Sequence, residues 1–214
     1  MARTKAPDYE QHRARILERA VEAFARNGFP NASMASLADG CGTSKAALYH
    51  YFPSKEALLF EALDAYTRRL LALVHRARVS ASSAHEALAA IVRALMAEYR
   101  SARAYHVALL NDVRFLEDAK HAVIRRQERE VVEEVAQAIE AAYPRAVNGD
   151  NRTVVTMALL GMINFTFAWL RSGGPISHAQ FADMVVALWS AGLGGAESPL
   201  LEGIQSEQAI RLQG

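Results

Sequence analysis

The sequence predicts an all-α protein: an N-terminal three-helix bundle with a helix-turn-helix, followed by a larger helical domain. Three observations carry that expectation. Apolar residues make up 51% of the 214-residue chain, alanine and leucine are abundant and there are only 6 prolines, a composition that favours helices. Apolar positions recur at three- and four-residue spacing, as on a helix with one buried face. Gly, Pro, Ser and Asn punctuate these runs and leave helical segments of ordinary length between them. The length allows one large domain or two small ones with a substantial core, and no internal repeat or low-complexity tract interrupts it.

The first helix is expected over 9–27, with Ile16, Leu17, Ala20, Val21 and Phe24 as its apolar stripe and Gly28 as its stop. Ser33 is placed to cap a short second helix whose inward positions are Met34, Leu37, Ala38 and Cys41. Gly42 supplies the turn, since a residue without Cβ enters positive φ at little cost. Thr43 or Ser44 caps a third helix in which Ala47, Leu48 and Tyr51 face inward while Ser44, Lys45, Tyr49 and His50 stay available to a ligand. Pro53 ends it. Two short helices about a glycine turn, the second carrying the polar groups, are the layout of a helix-turn-helix DNA reader.

A fourth helix over 54–78 leads away from the reader, and Ser80 to Ser83 break it. On this reading it is the one covalent link between the two regions and the lever for any signal between them. Lys55 sits in its first turn, where a cation opposes the helix dipole; the position is poor for stability and good for a phosphate. Helices over 84–101, 105–113 and 117–142 follow, and Pro144, Asn148 and Gly149 close that block. The last two span 151–171 and 178–193, joined by Ser172-Gly173-Gly174-Pro175, with a frayed tail expected from Gly194 on.

Phe24, Gly28 and Phe29, Ser33-Met34, Leu37-Ala38, Cys41-Gly42-Thr43-Ser44, Leu48-Tyr49-His50-Tyr51-Phe52 and Ser54-Lys55-Glu56-Ala57-Leu58 resemble the N-terminal domain of TetR-type one-component transcriptional regulators across residues 10–60. Cys41 stands where alanine is commoner in that family and Thr43 where valine is commoner; both substitutions are small. The remainder is similar to the family in layout only. The resemblance implies a cytoplasmic, homodimeric, ligand-responsive repressor that docks its readers in successive major grooves of a palindromic operator. Residues 1–53 would form an arm and DNA-binding domain, and 54–214 an effector-binding and dimerisation domain. Phosphate contacts are expected from Ser33, Thr43, Tyr49 and Lys55, with Arg3 or Lys5 of a basic N-terminal arm, and base contacts from Ser44, Lys45, Ala46 and His50. Short Ala46 and Ala47 suit close approach to DNA, although helix propensity explains them equally.

The final helices are more apolar than a one-sided helix requires. Met157, Leu160, Gly161 and Asn164 form one stripe, and Phe181, Met184, Val185, Leu188 and Trp189 another. An extra apolar face needs an extra partner, and the resemblance implies a dimer in which these helices form a four-helix bundle, with Gly161 permitting close approach. Intramolecular core is the alternative for each of these residues. For an effector, the polar groups within apolar stretches are Tyr66, Tyr99, Tyr105, His106, Asn111, Asp112, Asn164 and Trp169. Asn111-Asp112 stands out, though it is equally placed to cap the following helix. The segment from Leu109 to Leu116 is similar to regulators of aromatic-acid or fatty-acid catabolism that sense acyl-CoA thioesters, so an acyl-CoA or an aromatic acid is the effector class implied.

Charge supports the placement of the reader without proving it. Residues 1–55 hold eight Lys and Arg against five Asp and Glu, and the remainder sixteen against eighteen. His12, Arg13 and Arg15 are able to reach phosphates or to form a solvated face. The run Arg125-Arg126-Gln127-Glu128-Arg129-Glu130 has opposite charges at helical spacing and reads as a self-paired surface. The lone Cys41 fits core packing in a reducing compartment. The uncharged run from Val154 to Leu170 approaches membrane-spanning length, yet Thr156, Asn164 and Thr166 interrupt it, so a buried interface helix is expected and no membrane partner. The seven histidines form no i,i+4 pair or zinc spacing, and no phosphate loop or nucleophile motif appears; no metal, cofactor or catalytic residue is expected. The rival functions are a DNA-binding regulator controlled by a protein partner, without a small-molecule effector, and a helical enzyme that happens to carry the motif.

Overall fold

Pro7 opens α1 (Pro7–Asn27), where its fixed φ suits the first helical position. In this computed structural model, which describes residues 7–194, Ile16, Ala20, Val21 and Phe24 turn into the core. Arg3, Lys5 and the tail beyond Gly194 lie outside the described residues. Gly28 stops α1 at φ 80°, ψ 142°, and a Cβ there would meet nothing closer than 3.7 Å. The backbone angle, rather than crowding, demands glycine at that point. A 3-10 turn (Phe29–Asn31) follows, then α2 (Met34–Gly40). Ser33 and Ser36 form a reciprocal capping box at the start of α2. Gly42 takes φ 65° in the turn, and Ser44 caps α3 (Lys45–Tyr51) by accepting from Ala47 N at 3.1 Å.

The remaining elements are α4 (Lys55–Val79), α5 (Ala84–Ser101), α6 (Arg103–Asp112), a 3-10 turn (Val113–Phe115), α7 (Asp118–Ala142), α8 (Arg152–Asn164), α9 (Thr166–Trp169) and α10 (His178–Gly194). The described residues contain no strand. By packing, the chain forms two compact units. One comprises the chain through Leu71 together with Ser101–Glu130, and the other Ala72–Arg100 together with the chain from Val131 onward. The chain therefore passes between units three times, within α4, at the end of α5 and within α7, so α4 is not the only covalent link.

In the first unit α1 packs along α6 and against α2. Arg13 pairs with Glu61 and lies over the Phe52 ring at 5.0 Å, fastening α1 to the segment after α3. The charged run on α7 does pair with itself, through Arg125 to Glu128 and Arg126 to Glu130. Gln127 is the exception. It is buried, donates to Asp64 Oδ1 at 2.7 Å and accepts from the Thr67 hydroxyl, which satisfies two polar groups in the interior of α4.

In the second unit α8 begins at Arg152, whose guanidinium reaches Glu133 at 2.7 Å and Glu140 at 3.1 Å. Hydrogen bonds from Arg152 hold the Glu133 carboxyl down at about 2. The single helix expected over 151–171 is broken at Phe165. Thr166 Oγ1 donates back to Ile163 O at 2.7 Å and Ala168 N bonds Phe165 O, a 3-10 contact. A threonine hydroxyl competing for ladder carbonyls explains why the run does not continue as one rod.

Candidate functional site

Ser44, Lys45, Ala46, Tyr49 and His50 all lie exposed on α3, while Leu48 is wholly buried. The helix is seven residues long, and one anchor, a Ser44 cap and the Phe52 plug hold it. Its polar side chains consequently project from a fixed base. Lys45 Nζ lies 6.0 Å from the Tyr49 ring centre. Ser33 is exposed at the start of α2 and Thr43 is half-buried beside the Gly42 turn. His12 packs its ring 5.4 Å from Tyr51, and Arg13 is committed to Glu61, so of the three α1 groups considered for phosphates only Arg15 is exposed. Burial raises the Cys41 thiol above its ordinary value, and its Sγ lies 3.9 Å from Ile16 O of α1.

Lys55 differs from expectation. Its ammonium donates to Phe29 O and Ala32 O at 3.0 Å and to Pro30 O at 3.4 Å, and it lies 4.4 Å from the Phe29 ring centre. Its ammonium is thus directed at the carbonyls of residues 29, 30 and 32. Spacing alone gave no sign of this, because the acceptors lie more than twenty residues upstream.

Asp112 differs too. It makes no side-chain cap on the following turn. It is buried, and its carboxylate accepts the Phe29 backbone N–H. Burial pushes the carboxyl up, against the opposing effects of that hydrogen bond and of Arg114. Three residues on, the Phe115 ring stacks on Phe29 at 5.3 Å. Asn111 is exposed.

The other effector candidates fall into two separate groups. Tyr66 and His106 are buried in the first unit with ring centres 6.4 Å apart, and Tyr105 stands 5.8 Å from Tyr66, with Arg69 lying over both phenol rings. In the second unit Tyr99 donates to Asn164 Oδ1 at 2.8 Å, and burial pushes the Tyr99 hydroxyl far up. Trp169 is 52% exposed and meets Phe181 edge-on at 5.0 Å, so it belongs to a surface rather than to an interior site.

That surface is apolar. Val154 (71% exposed), Met157 (52%), Phe165 (63%) and Leu188 (61%) are all uncovered, and Gly161 faces open space. Phe181 and Trp189 are half-buried, with Trp189 Nε1 reaching Met162 Sδ at 3.2 Å. Leu160 and Val185, expected at an interface, are instead core of this chain at 4% and 0% exposure. The span Arg152–Trp169 has a mean hydropathy of 1.2, enough by length and composition to cross a membrane, and only 28% of it is buried. Among the described residues no cluster of three His, Cys, Asp or Glu is placed to hold a metal.

Residues 16–62 match the family described as bacterial regulatory proteins, tetR family, and residues 81–193 match the tetracyclin repressor-like C-terminal domain. The chain belongs to the TetR family of transcriptional regulators, whose members are DNA-binding proteins. The transcriptional repressor KstR2 of Mycobacterium tuberculosis is 26% identical over 197 residues, covering 88% of this chain and 96% of that protein. Shorter matches fall to UidR of Escherichia coli, 51% identical over 47 residues (22% of this chain), and YuxN of Bacillus subtilis, 47% over 51 residues (24% of this chain). The chain covers only 24% and 18% of the length of those two proteins. Among solved structures, a TetR-family regulator from Bordetella parapertussis 12822 is 31% identical with a TM-score of 0.83, over 89% of this chain and 100% of that one. AibR, solved with isovaleryl coenzyme A and operator DNA, shares the fold at 24% identity and a TM-score of 0.75, over 83% and 97% of the two chains.

Two outcomes follow from the Phe29 contacts. Lys55→Ala should lower unfolding free energy by about 2 kcal/mol, the scale of hydrogen bonds to a charged group, and leave the salt dependence of duplex binding unchanged. A slope shallower by about one unit would return Lys55 to the phosphates.

Asp112→Asn keeps an acceptor for the Phe29 N–H, whereas Asp112→Leu leaves it unsatisfied and should cost about 1–3 kcal/mol. Because the folded Asp112 value is raised, its contribution is full below the unfolded value and is lost as pH rises through the folded one. Asp112→Asn should therefore gain on wild type above that window and not below it. Urea unfolding at acid and neutral pH checks this; an Asn variant as unstable as Leu at neutral pH would refute the assignment.

Proposed function

We propose that the chain is a cytoplasmic, ligand-responsive repressor that acts as a homodimer on a palindromic operator. The observation that carries this reading is α3 itself, a buried-anchored helix whose Ser44, Lys45, Ala46, Tyr49 and His50 all face outward. Ser44, Lys45, Ala46 and His50 would read base edges, and Ser33, Thr43 and Tyr49 would position the backbone.

The exposed apolar face of α8 and α10 supports pairing with a second copy. Met157, Gly161, Leu188 and the half-buried Phe181 and Trp189 would meet across a two-fold axis, with Trp169 beside them. Lipid is the poorer occupant. The apolar span breaks at Phe165, and it starts on an Arg152 already paired with two carboxylates. A two-fold protein matches a palindromic duplex, because each copy presents one reader to one half-site.

The effector would reach the Tyr66, Tyr105 and His106 cluster, where two phenols and an imidazole gather beside the Arg69 guanidinium. An acyl-CoA thioester is the proposed class, in keeping with the isovaleryl coenzyme A held by AibR. Binding would shift the two readers between arrangements of different DNA affinity.

Leu188→Glu and Met157→Glu should each yield a folded monomer in sedimentation without detergent, with loss of affinity for duplexes enriched from a random pool by wild type. Burying an unpaired carboxylate at the pair's centre is the reason. A variant that sediments as a full dimer would displace the interface from this face.

Isovaleryl-CoA should weaken binding of the enriched duplex, and the duplex should weaken isovaleryl-CoA binding by the same factor. Calorimetry with and without duplex gives the answer, and equal CoA-ester affinities in both titrations would sink induction by that ligand.

A further inference from the structure

Tyr9 stands in the first turns of α1, outside the helix-turn-helix, yet its ring touches the C-terminal end of α3. Its centre is 4.8 Å from that of Tyr51, tilted by 30°, and 6.3 Å from that of His50, edge-on at 89°. His12, one turn further along α1, packs 5.4 Å from Tyr51. Tyr51 in turn meets His50 at 5.7 Å and 77°. Four rings from two helices thus make one cluster. Only His50 among them is exposed; Tyr9, His12 and Tyr51 are half-buried.

Tyr9 lies outside the buried stripe of α1. The core stripe of α1 begins two turns later at Ile16, and Arg13 already ties the helix to Glu61 and Phe52. What Tyr9 does constrain is His50. A solvent-facing side chain near a helix end samples several rotamers, and ordering it on binding costs affinity and blurs discrimination. Edge-on contacts with two phenol rings hold the imidazole before DNA arrives, and preorganisation of this kind favours the contact that fits over those that do not.

We propose that Tyr9 is a positioning residue for base recognition, which holds His50 in its reading orientation and makes the first turns of α1 part of the specificity apparatus. The inference rests on the proposed base-reading role of His50. It concerns discrimination rather than overall affinity, since Tyr9 works through another side chain.

The test uses the full-length protein, the duplex that wild type enriches from a random pool, and a scrambled duplex of the same composition. The ratio of the two affinities, measured on one preparation, cancels differences in folded fraction. Tyr9→Ala should lower this ratio roughly two- to tenfold, the range of one aromatic contact, through weaker binding of the enriched duplex alone. Tyr9→Phe, which keeps the ring, should retain the wild-type ratio. Tyr9→Ala combined with His50→Ala should discriminate no worse than His50→Ala, because the two act as one unit. Additive losses in the double variant, or equal weakening of both duplexes by Tyr9→Phe, would overturn the proposal and make Tyr9 an independent or phosphate contact. Should His50→Ala itself leave the ratio intact, the base-reading role fails first and the proposal with it.

Discussion

The reader depends on how one residue, Phe29, is held. Its N–H is bound by the Asp112 carboxylate, its carbonyl by the Lys55 ammonium, and its ring lies against Phe24 and Phe115. The 3-10 turn that follows α1 leaves carbonyls of residues 29, 30 and 32 aimed at one point, where one ammonium bridges all three; Phe29 O also accepts the Ala32 N–H at 3.2 Å. Lysine supplies that ammonium at a position where the α4 dipole disfavours a cation. The dipole penalty is about 0.3–1 kcal/mol, whereas each hydrogen bond to a charged group contributes about 1.5–3 kcal/mol. The carbonyls win, and the cation stays at the helix N-terminus.

The same residue joins three elements within one compact unit. Lys55 begins α4, Asp112 ends α6 and Phe115 belongs to the turn after it, so the back of the reader and the end of α6 share a single anchor. A shift of α6 along its axis cannot leave Phe29 untouched, because the N–H bond to Asp112 is directional and the ring stack is close. Burying Asp112 costs free energy, as its raised carboxyl records. A neutral acceptor would satisfy the N–H at less cost, so the charge at this point is not explained by the turn alone.

Much of the fold was legible because its causes are local. Ser33, Gly42, Ser44 and Pro53 mark α2 and α3 through caps, a positive φ and a helix stop, all of which act within four residues. The exposed face of α3 follows from the same register. The partners of Lys55 and Asp112 are not legible in the sequence, because the fold supplies them from far along the chain. The break at Phe165 escaped notice for a related reason: a uniformly apolar run hides the competition between the Thr166 hydroxyl and the helix ladder. Leu160 and Val185 mark another limit. Periodicity identifies an apolar stripe, but it does not say how much of that stripe the chain covers for itself, and these two residues lie on its inner edge.

Polar groups embedded in apolar stretches are the sequence's signal for an effector, and the structure places them in separate parts of the fold. Tyr99 spends its hydroxyl on Asn164, and Asp112 spends its carboxylate on a backbone N–H. A buried polar group must have a partner, but sequence pattern carries no information on whether that partner is protein or ligand. Tyr66, Tyr105 and His106 form a separate group within the first unit. Three aromatic groups with polar atoms converge from α4 and α6, the two helices whose ends meet at Phe29. A molecule bound among those rings, as proposed, would act on the two elements that fix the back of the DNA reader, so proximity to the Phe29 anchor, more than polarity, favours this cluster.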